Sequence, residues 1–314
     1  MIYIMNDSTD PYFNLALEEY LFNLDDENAY YWLWQNDNTI VIGKNQNAFR
    51  EINEDFVREN KIKISRRITG GGAVYHDLGN LNFTFIVPSQ GKRAYDFKRF
   101  TDKIIDALKT FGVQAEYSGR NDLLIDGKKF SGNAQLVGER KILHHGTLLF
   151  STDTSVIEKC LTPSEEKIKS RGVGSVKSRV ANLDVDIEEF KTEFIRREGG
   201  GARYLNQDDI EAVKKLRDTK FSTYEWIYGA SPEFNYSRSI RFDRCGTISL
   251  SVNLIDGKIG KCKINGDFFG SGDVWELEKL LEGKDSVPEE IDFDYYFGNL
   301  KREDFLLLFK DLVF

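Results

Sequence analysis

The chain is short of several things whose scarcity excludes whole classes of protein. It has three cysteines in 314 residues, Cys160, Cys245 and Cys262, widely spaced and without any C-x-x-C pair. That pattern supports neither a disulfide framework nor a zinc site, and a reducing, cytoplasmic setting is the natural reading. Five prolines are too few for long stiff linkers. No apolar run reaches the ~18 residues that span a bilayer. The opening Met1-Ile-Tyr-Ile-Met5 has no basic flank and is too short for a signal peptide. Basic residues are outnumbered, 43 against 51, for a net charge of −8. An acidic chain is a poor generic partner for nucleic acid or for an anionic membrane.

What is present is ample apolar material in clear patterns, with 40% hydrophobic residues, enough for a sizeable core. Residues 10–23 read as a helix, with Asp10 as cap, Pro11 at the first position and Leu15, Leu17, Tyr20 and Leu21 near helical spacing. Strand-like runs between Tyr31 and Ile42 are split by Asn36-Asp37-Asn38, a turn signal. Leu81, Phe83, Phe85 and Val87 alternate as a strand, and Phe97, Phe100, Ile104, Leu108 and Phe111 fall on one helical face ended by Gly112. Asp126-Gly127 and Gly138-Glu139 predict two hairpin turns. Residues 161–182 read mostly as loop, 184–217 as mainly helical around Gly199-Gly-Gly201, and the tail as strands, an Asp256-Gly257 turn and two helices near 274–282 and 302–311. The expected division is a larger unit over 1–235, a linker over 236–241, and a small α+β unit over 242–314.

Two purely basic stretches interrupt the acidic chain. The first leads into Arg66-Arg67-Ile68-Thr69-Gly70-Gly71-Gly72-Ala73-Val74-Tyr75-His76. Three consecutive glycines between strands are costly in backbone entropy, but they let a backbone approach a ligand and offer N–H groups to an anion. Arg66 and Arg67 can add charge-assisted hydrogen bonds. A flexible loop with a solvated basic flank is the plain alternative. No G-x-x-x-x-G-K-[ST] occurs, and no G-x-G-x-x-G opens a helix. The second stretch is 167–179, with Lys177 and Arg179 near its end and Gly172 and Gly174 as hinges. It reads as a solvated loop or as a flap closing on an anion.

Lys129 follows the Asp126-Gly127 turn and precedes Ser131-Gly132. On a rigid strand it could present a fixed charge to a carboxylate or phosphate, or simply face solvent. Asp122 could carry a magnesium ion or orient an amine. His144 and His145 are adjacent and should point to opposite faces of a strand, so they cannot easily share a metal. Cys160 has little around it to suggest a nucleophile.

Taken together these blocks resemble the lipoate–protein ligase family. The matching segments are residues 10–19, 34–36, 41–46, 66–80, 119–122, 129–132, 144–148 and 177–180, in the family's order, with a tail similar to its accessory domain. Thr69 stands where serine is common, and its hydroxyl is kept. The resemblance implies an α+β catalytic domain of the biotin/lipoate ligase type, mixed β-sheets flanked by helices, followed by a small α+β C-terminal domain. It implies activation of free lipoate by ATP and Mg2+ to lipoyl-AMP with release of pyrophosphate. The lipoyl group then passes to a lysine of an acceptor domain, either glycine-cleavage H protein or the lipoyl domains of 2-oxoacid dehydrogenases.

The resemblance also implies the residue roles. Lys129 is the central catalytic cation. Arg67 with Gly70, Gly71, Gly72, Ala73, Val74 and Tyr75 holds the carboxylate and α-phosphate. Trp34, His76 and His145 line the tunnel for the acyl tail, beside Gly146, and Asn80 faces the adenine. Asn121 and Asp122 lie near phosphate and metal, Ser131, Gly132 and Ala134 flank Lys129's strand, and Lys177 and Arg179 belong to a closing loop. A cysteine-dependent octanoyl- or lipoyl-transferase on the same fold and a non-catalytic lipoate-binding protein are the alternatives. The glycine block fits biotin ligase less well.

Overall fold

The computed structural model describes residues 1–91, 95–118, 121–161, 180–228, 236–255 and 258–309. The basic stretch 167–179, with Lys177 and Arg179, lies outside them, as do Gly119, the expected 256–257 turn and residues 229–235.

A large mixed sheet carries the first unit. Its strands in chain order are β1 (Ile2–Met5), β2 (Tyr30–Trp34), β6 (Asn80–Pro88), β7 (Glu116–Ser118), β8 (Asp122–Ile125), β9 (Lys128–Val137), β10 (Lys141–Leu149) and β11 (Ala202–Tyr204). Across the sheet they run β11-β1-β2-β6-β10-β9-β8-β7. The β1 pairings with β2 and β11 are parallel, and the rest are antiparallel. Both faces are covered. Tyr31, Leu33, Leu81, Phe83 and Phe85 enter one core, against Phe100 and Ile104 of helix Lys98–Lys109 and Phe190 and Phe194 of helix Ile187–Glu198. Tyr30, Trp32 and Trp34 alternate to the other face and meet Leu15, Leu17 and Leu21 of helix α1 (Pro11–Asn23). Two buried faces explain why β2, Tyr-Tyr-Trp-Leu-Trp, is apolar throughout rather than alternating. The expected cap of α1 is present, Asp10 Oδ1 accepting the Tyr12 N–H at 3.1 Å.

The two hairpins fall where the turn residues put them. Asp126 and Gly127 both take left-handed φ, 49° and 73°, as a tight two-residue turn requires. The stretch expected to be mainly helical also contains β11, three residues that pair with β1 from almost the far end of the unit. Local pattern carries no sign of such a distant pairing.

A smaller sheet, β4-β3-β5, sits beside the large one: β3 (Thr39–Ile42), β4 (Lys63–Arg66) and β5 (Val74–His76). The glycine block is the connection from β4 to β5. Arg66, at the end of β4, is buried and turns away from that block. It donates to the carbonyls of Gly43, Lys44 and Gln46 at 2.7–2.9 Å and to those of Trp226 and Ile227 at 2.6–3.0 Å. Arg66 therefore welds three chain segments together rather than facing an anion.

The C-terminal unit has its own core, built wholly from residues 236–309. Residues 236–241, expected as a linker, instead belong to β12 (Tyr236–Phe242), which pairs antiparallel with β13 (Gly246–Ile255), as does β14 (Lys258–Gly266). Ile240 and Phe242 pack on that core, and this cross-strand burial prevails over the charged, linker-like look of the segment. Helices Val274–Leu281, Phe293–Phe297 and Arg302–Leu306 cover the sheet. No helix among the described residues is long and apolar enough to cross a membrane.

His144 lies between Phe100 (4.7 Å between ring centroids) and Phe83 (5.8 Å), and burial, then the neighbouring His145, pushes its pKa well below 6.5. The unfolded chain binds a proton below about pH 6.5 that the folded imidazole refuses, so stability must fall as pH falls below that value. Urea unfolding should give a loss of up to roughly 1.4 kcal/mol per pH unit from this group, and a His144→Gln variant should show a shallower slope. An identical slope in the variant would refute the assignment. Arg66→Lys, which cannot reach both sets of carbonyls, should cost about 2 kcal/mol or more, and an unchanged melting temperature would contradict the clamp.

Candidate active site

A narrow cleft of about 110 Å³ opens between the two sheets. Trp34, Val74 and His76 form its apolar end, with Leu15 of α1 and Val41 of β3 beneath them. Arg67, Gly71, Gly72 and Ala73 form one lip. Lys129, Gly132 and Ala134 of β9, Asn121, and His145 with Gly146 of β10 form the other. Thus most of the residues expected from the sequence converge on one cavity.

Arg67 shapes the glycine block from behind. Its Nη2 donates to the carbonyls of Gly70 and Gly72 at 2.7 and 2.8 Å, its Nη1 to Val41 at 3.2 Å, and its Nε to Thr69 Oγ1 at 3.0 Å. Burial lowers its pKa to about 10, with Glu18 opposing the shift, and it stays charged at neutral pH. With its carbonyls turned back onto the guanidinium, the block offers its other side to the cleft. Gly71 has φ of 92°, which a side chain would strain.

Lys129 is aimed by its surroundings. Its Nζ lies 2.7 Å from Asp122 Oδ1, on the neighbouring strand. Both side chains are about a third exposed (37% and 35%), so the pair orients the ammonium more than it stabilises the fold. The side chain folds across Gly132. A Cβ at that position would sit 2.9 Å from Nζ and 3.0 Å from Cε, so the glycine is what gives the lysine passage. This accounts physically for lysine followed three residues later by glycine.

Several expected residues stand elsewhere. Tyr75 alternates with Val74 and His76 and faces the opposite side of β5, where its hydroxyl donates to Asn38 Oδ1 at 3.0 Å. Asn80 is fully buried and reaches the cleft only through Asn82, whose Oδ1 accepts its amide at 2.9 Å. Ser131 is buried, its hydroxyl accepting from Asn133 at 3.2 Å. Gly70 backs onto the carbonyl of Phe268 rather than onto the cavity. Asp122 supports Lys129 at the rim. Of the two adjacent histidines, His145 lines the cleft and His144 is sealed in the core on the other face. His76 accepts at Nδ1 from the Asn36 amide (3.1 Å), so its proton is on Nε2, and burial, then Arg67 and His145, lowers its pKa to about 3.

Other contributors fall outside the expected set of site residues. Phe269, from the C-terminal unit, closes one side of the cleft, its ring 5.8 Å from Phe97 and 6.4 Å from Tyr95. The two units meet at the glycine block, where the Gly71 N–H points to the Phe268 carbonyl at 3.4 Å, and nearby, where Gly266 N donates to Asn45 O at 2.6 Å. Thr147 and Asn133 also line the cavity. All three thiols are buried, and none is in a disulfide. Burial raises the Cys160 pKa to about 12.

Comparison with known proteins places the chain in a family. The model for the lipoyl protein ligase A/B catalytic domain matches residues 10–203, and that for the bacterial lipoate protein ligase C-terminus matches 231–309. Lipoate-protein ligase LplJ of Bacillus subtilis is 43% identical over 98% of this chain and 99% of its own length. Lipoate–protein ligase 1 of Staphylococcus aureus is 39% identical over 96% and 98%. Among solved structures, LipL1 of P. falciparum in complex with lipoate superposes with a TM-score of 0.75 at 26% identity, covering 99% of this chain and 94% of that one. A bi-partite lipoate protein ligase with its E2 lipoyl domain, from Thermoplasma acidophilum, gives 0.65 at 27% identity over 75% and 98%. A lipoate-protein ligase A bound with ATP gives 0.61 at 26% identity over 73% and 98%. With both units matched in order along nearly the whole chain, the protein belongs to the lipoate–protein ligase family.

Proposed function

We propose that this cleft carries out both half-reactions of an ATP-dependent lipoate–protein ligase, with Lys129 as the shared cation. The observation that carries the reading is the placement of Lys129 Nζ, held by Asp122 across Gly132, at the lip facing the glycine block. In the first step the lipoate carboxylate attacks the α-phosphorus of ATP. An oxygen–phosphorus bond forms, the bond to the β-phosphate bridge breaks, and pyrophosphate leaves. Two anions must meet, and an ammonium between them offsets their repulsion and stabilises the charge that develops. In the second step the neutral amine of an acceptor lysine attacks the acyl carbon. AMP departs, the nitrogen loses a proton and an amide remains. The same ammonium would stabilise the departing phosphate.

The other residues divide by chemistry. The cleft-lining part of the glycine block at Gly72 and Ala73, stiffened by Arg67, supplies backbone and positive potential for the carboxylate and α-phosphate. Trp34, Val74, His76 and His145 supply an apolar bed for the acyl tail. His76 is suited to it because burial keeps it neutral. Mg2+ would enter with the nucleotide. One carboxylate plus substrate phosphates suffices for it, and Asp122 at the rim fits that part; the ion would neutralise phosphate charge. The acceptors fitting this chemistry are lipoyl domains of 2-oxoacid dehydrogenases and glycine-cleavage H protein, in the cytoplasm. The unit around residues 242–309 would act as an accessory domain.

The purified protein, incubated with lipoate, MgATP and each apo-acceptor, should add one lipoyl mass to the acceptor and none when ATP is omitted. Labelling without ATP would support the acyl-transferase reading instead. Cys160→Ser should keep full activity, because a buried thiol of raised pKa takes no part; its loss of activity without loss of fold would overturn the ligase mechanism.

A further inference from the structure

Glu18 is completely buried on α1, underneath the cleft. His145 Nδ1 lies 2.8 and 3.0 Å from its two carboxylate oxygens, and Thr84 Oγ1 lies 2.6 Å from Oε1. Each contact continues outward. His145 Nε2 is 2.8 Å from Thr69 Oγ1, which accepts the Nε–H of Arg67 at 3.0 Å. Thr84 Oγ1 accepts the indole N–H of Trp34 at 2.9 Å.

With His145 as the neutral imidazole, the protons along these chains follow from donor and acceptor rules. A carboxylate only accepts, so the proton of His145 is on Nδ1. The Thr69 oxygen accepts from Arg67, and with His145 neutral its own hydroxyl proton is directed to the bare Nε2. The Thr84 oxygen receives the indole proton and passes its own to Glu18. Two directed chains, one from the carboxylate-binding lip and one from the apolar end, therefore terminate on a single anion. Glu18 also opposes the cost of burying the Arg67 cation.

We propose that Glu18 is the positioning residue of the lipoate site: it fixes His145 as the Nδ1–H tautomer, locks Thr69 and Arg67 behind the glycine block that faces the substrate carboxylate, and holds the Trp34 indole against the acyl tail. The proposal rests on the reading of the cleft as the lipoate site. Glu18 touches no reacting atom, and its effect falls more on lipoate, which it reaches through both chains, than on ATP. Thr69 is the relay, and only its hydroxyl matters, so serine serves and valine does not.

The test has two independent parts. The chain contains three histidines, so imidazole 15N spectra of the histidine-labelled wild type can assign the tautomer of His145 directly. Nδ1–H is expected, and an Nε2–H or a doubly protonated ring overturns the proposal without any variant. Lipoate-dependent pyrophosphate release is then measured in Glu18→Gln, Thr69→Ser and Thr69→Val, each checked for wild-type melting. Glu18→Gln and Thr69→Val should raise the KM for lipoate roughly ten- to a hundredfold and the KM for ATP far less, whereas Thr69→Ser should behave as wild type. Glu18→Gln should also release His145 from the Nδ1–H form. A folded Glu18→Gln with normal lipoate KM and an unaltered tautomer refutes the proposal. Absence of lipoate-dependent pyrophosphate release from the wild type refutes the underlying reading of the cleft.

Discussion

Two adjacent guanidiniums, buried with their donors on backbone carbonyls, set the geometry on which the rest of the site depends. Arg66 ties the segment at 43–46 to the chain at 226–227, and Arg67 gathers the carbonyls of the glycine block. Neighbouring residues at a strand end point in opposite directions, so one arginine fastens the small sheet to its surroundings while the other shapes its cleft-lining loop. Desolvating a cation is expensive, and several carbonyl partners per guanidinium are what make it tolerable. A lysine, with one compact ammonium, could not replace either.

From that fixed lip the rest of the chemistry follows by placement. The large sheet supplies a rigid opposite wall, in which hydrogen bonding across β9 and β10 fixes Lys129, Gly132 and His145 relative to one another. The apolar end is closed by aromatic and aliphatic side chains from four different elements. The C-terminal unit adds Phe269 and a carbonyl at the glycine block. Catalysis in such an arrangement needs no covalent nucleophile. It requires two anions to be held together against their repulsion, and in the proposed mechanism the oriented ammonium of Lys129 answers that requirement.

The sequence was most informative where local chemistry decides structure. The cap and proline of the first helix, the turn at Asp126-Gly127, the alternation in Leu81 to Val87 and the amphipathic face ending at Gly112 all give elements close to those observed. Strand alternation also separates His144 from His145, and, applied to β5, it excludes Tyr75 from the cleft in which Val74 and His76 lie. What was not legible depends on distant pairing. The short β11, the strand in place of the expected linker, and Phe269 reach their positions through partners far away in the chain. Arg66 was legible as a cation beside a glycine loop, but its direction was not, because the carbonyls it binds come from two remote segments. Glu18 sits in a helix that was easily recognised, yet its role appears only when Thr84 and His145 are brought beneath it.

The net charge of −8 conceals a local cationic site that is small and internal, suited to one activated acyl group rather than to a polyanion. The proposed mechanism depends on Lys129. Lipoate-dependent exchange of labelled pyrophosphate into ATP, measured without any acceptor protein, isolates the first half-reaction. The wild type should exchange, and a normally folded Lys129→Ala variant should lose roughly a hundredfold or more; wild-type-like exchange from that variant would refute the role of Lys129.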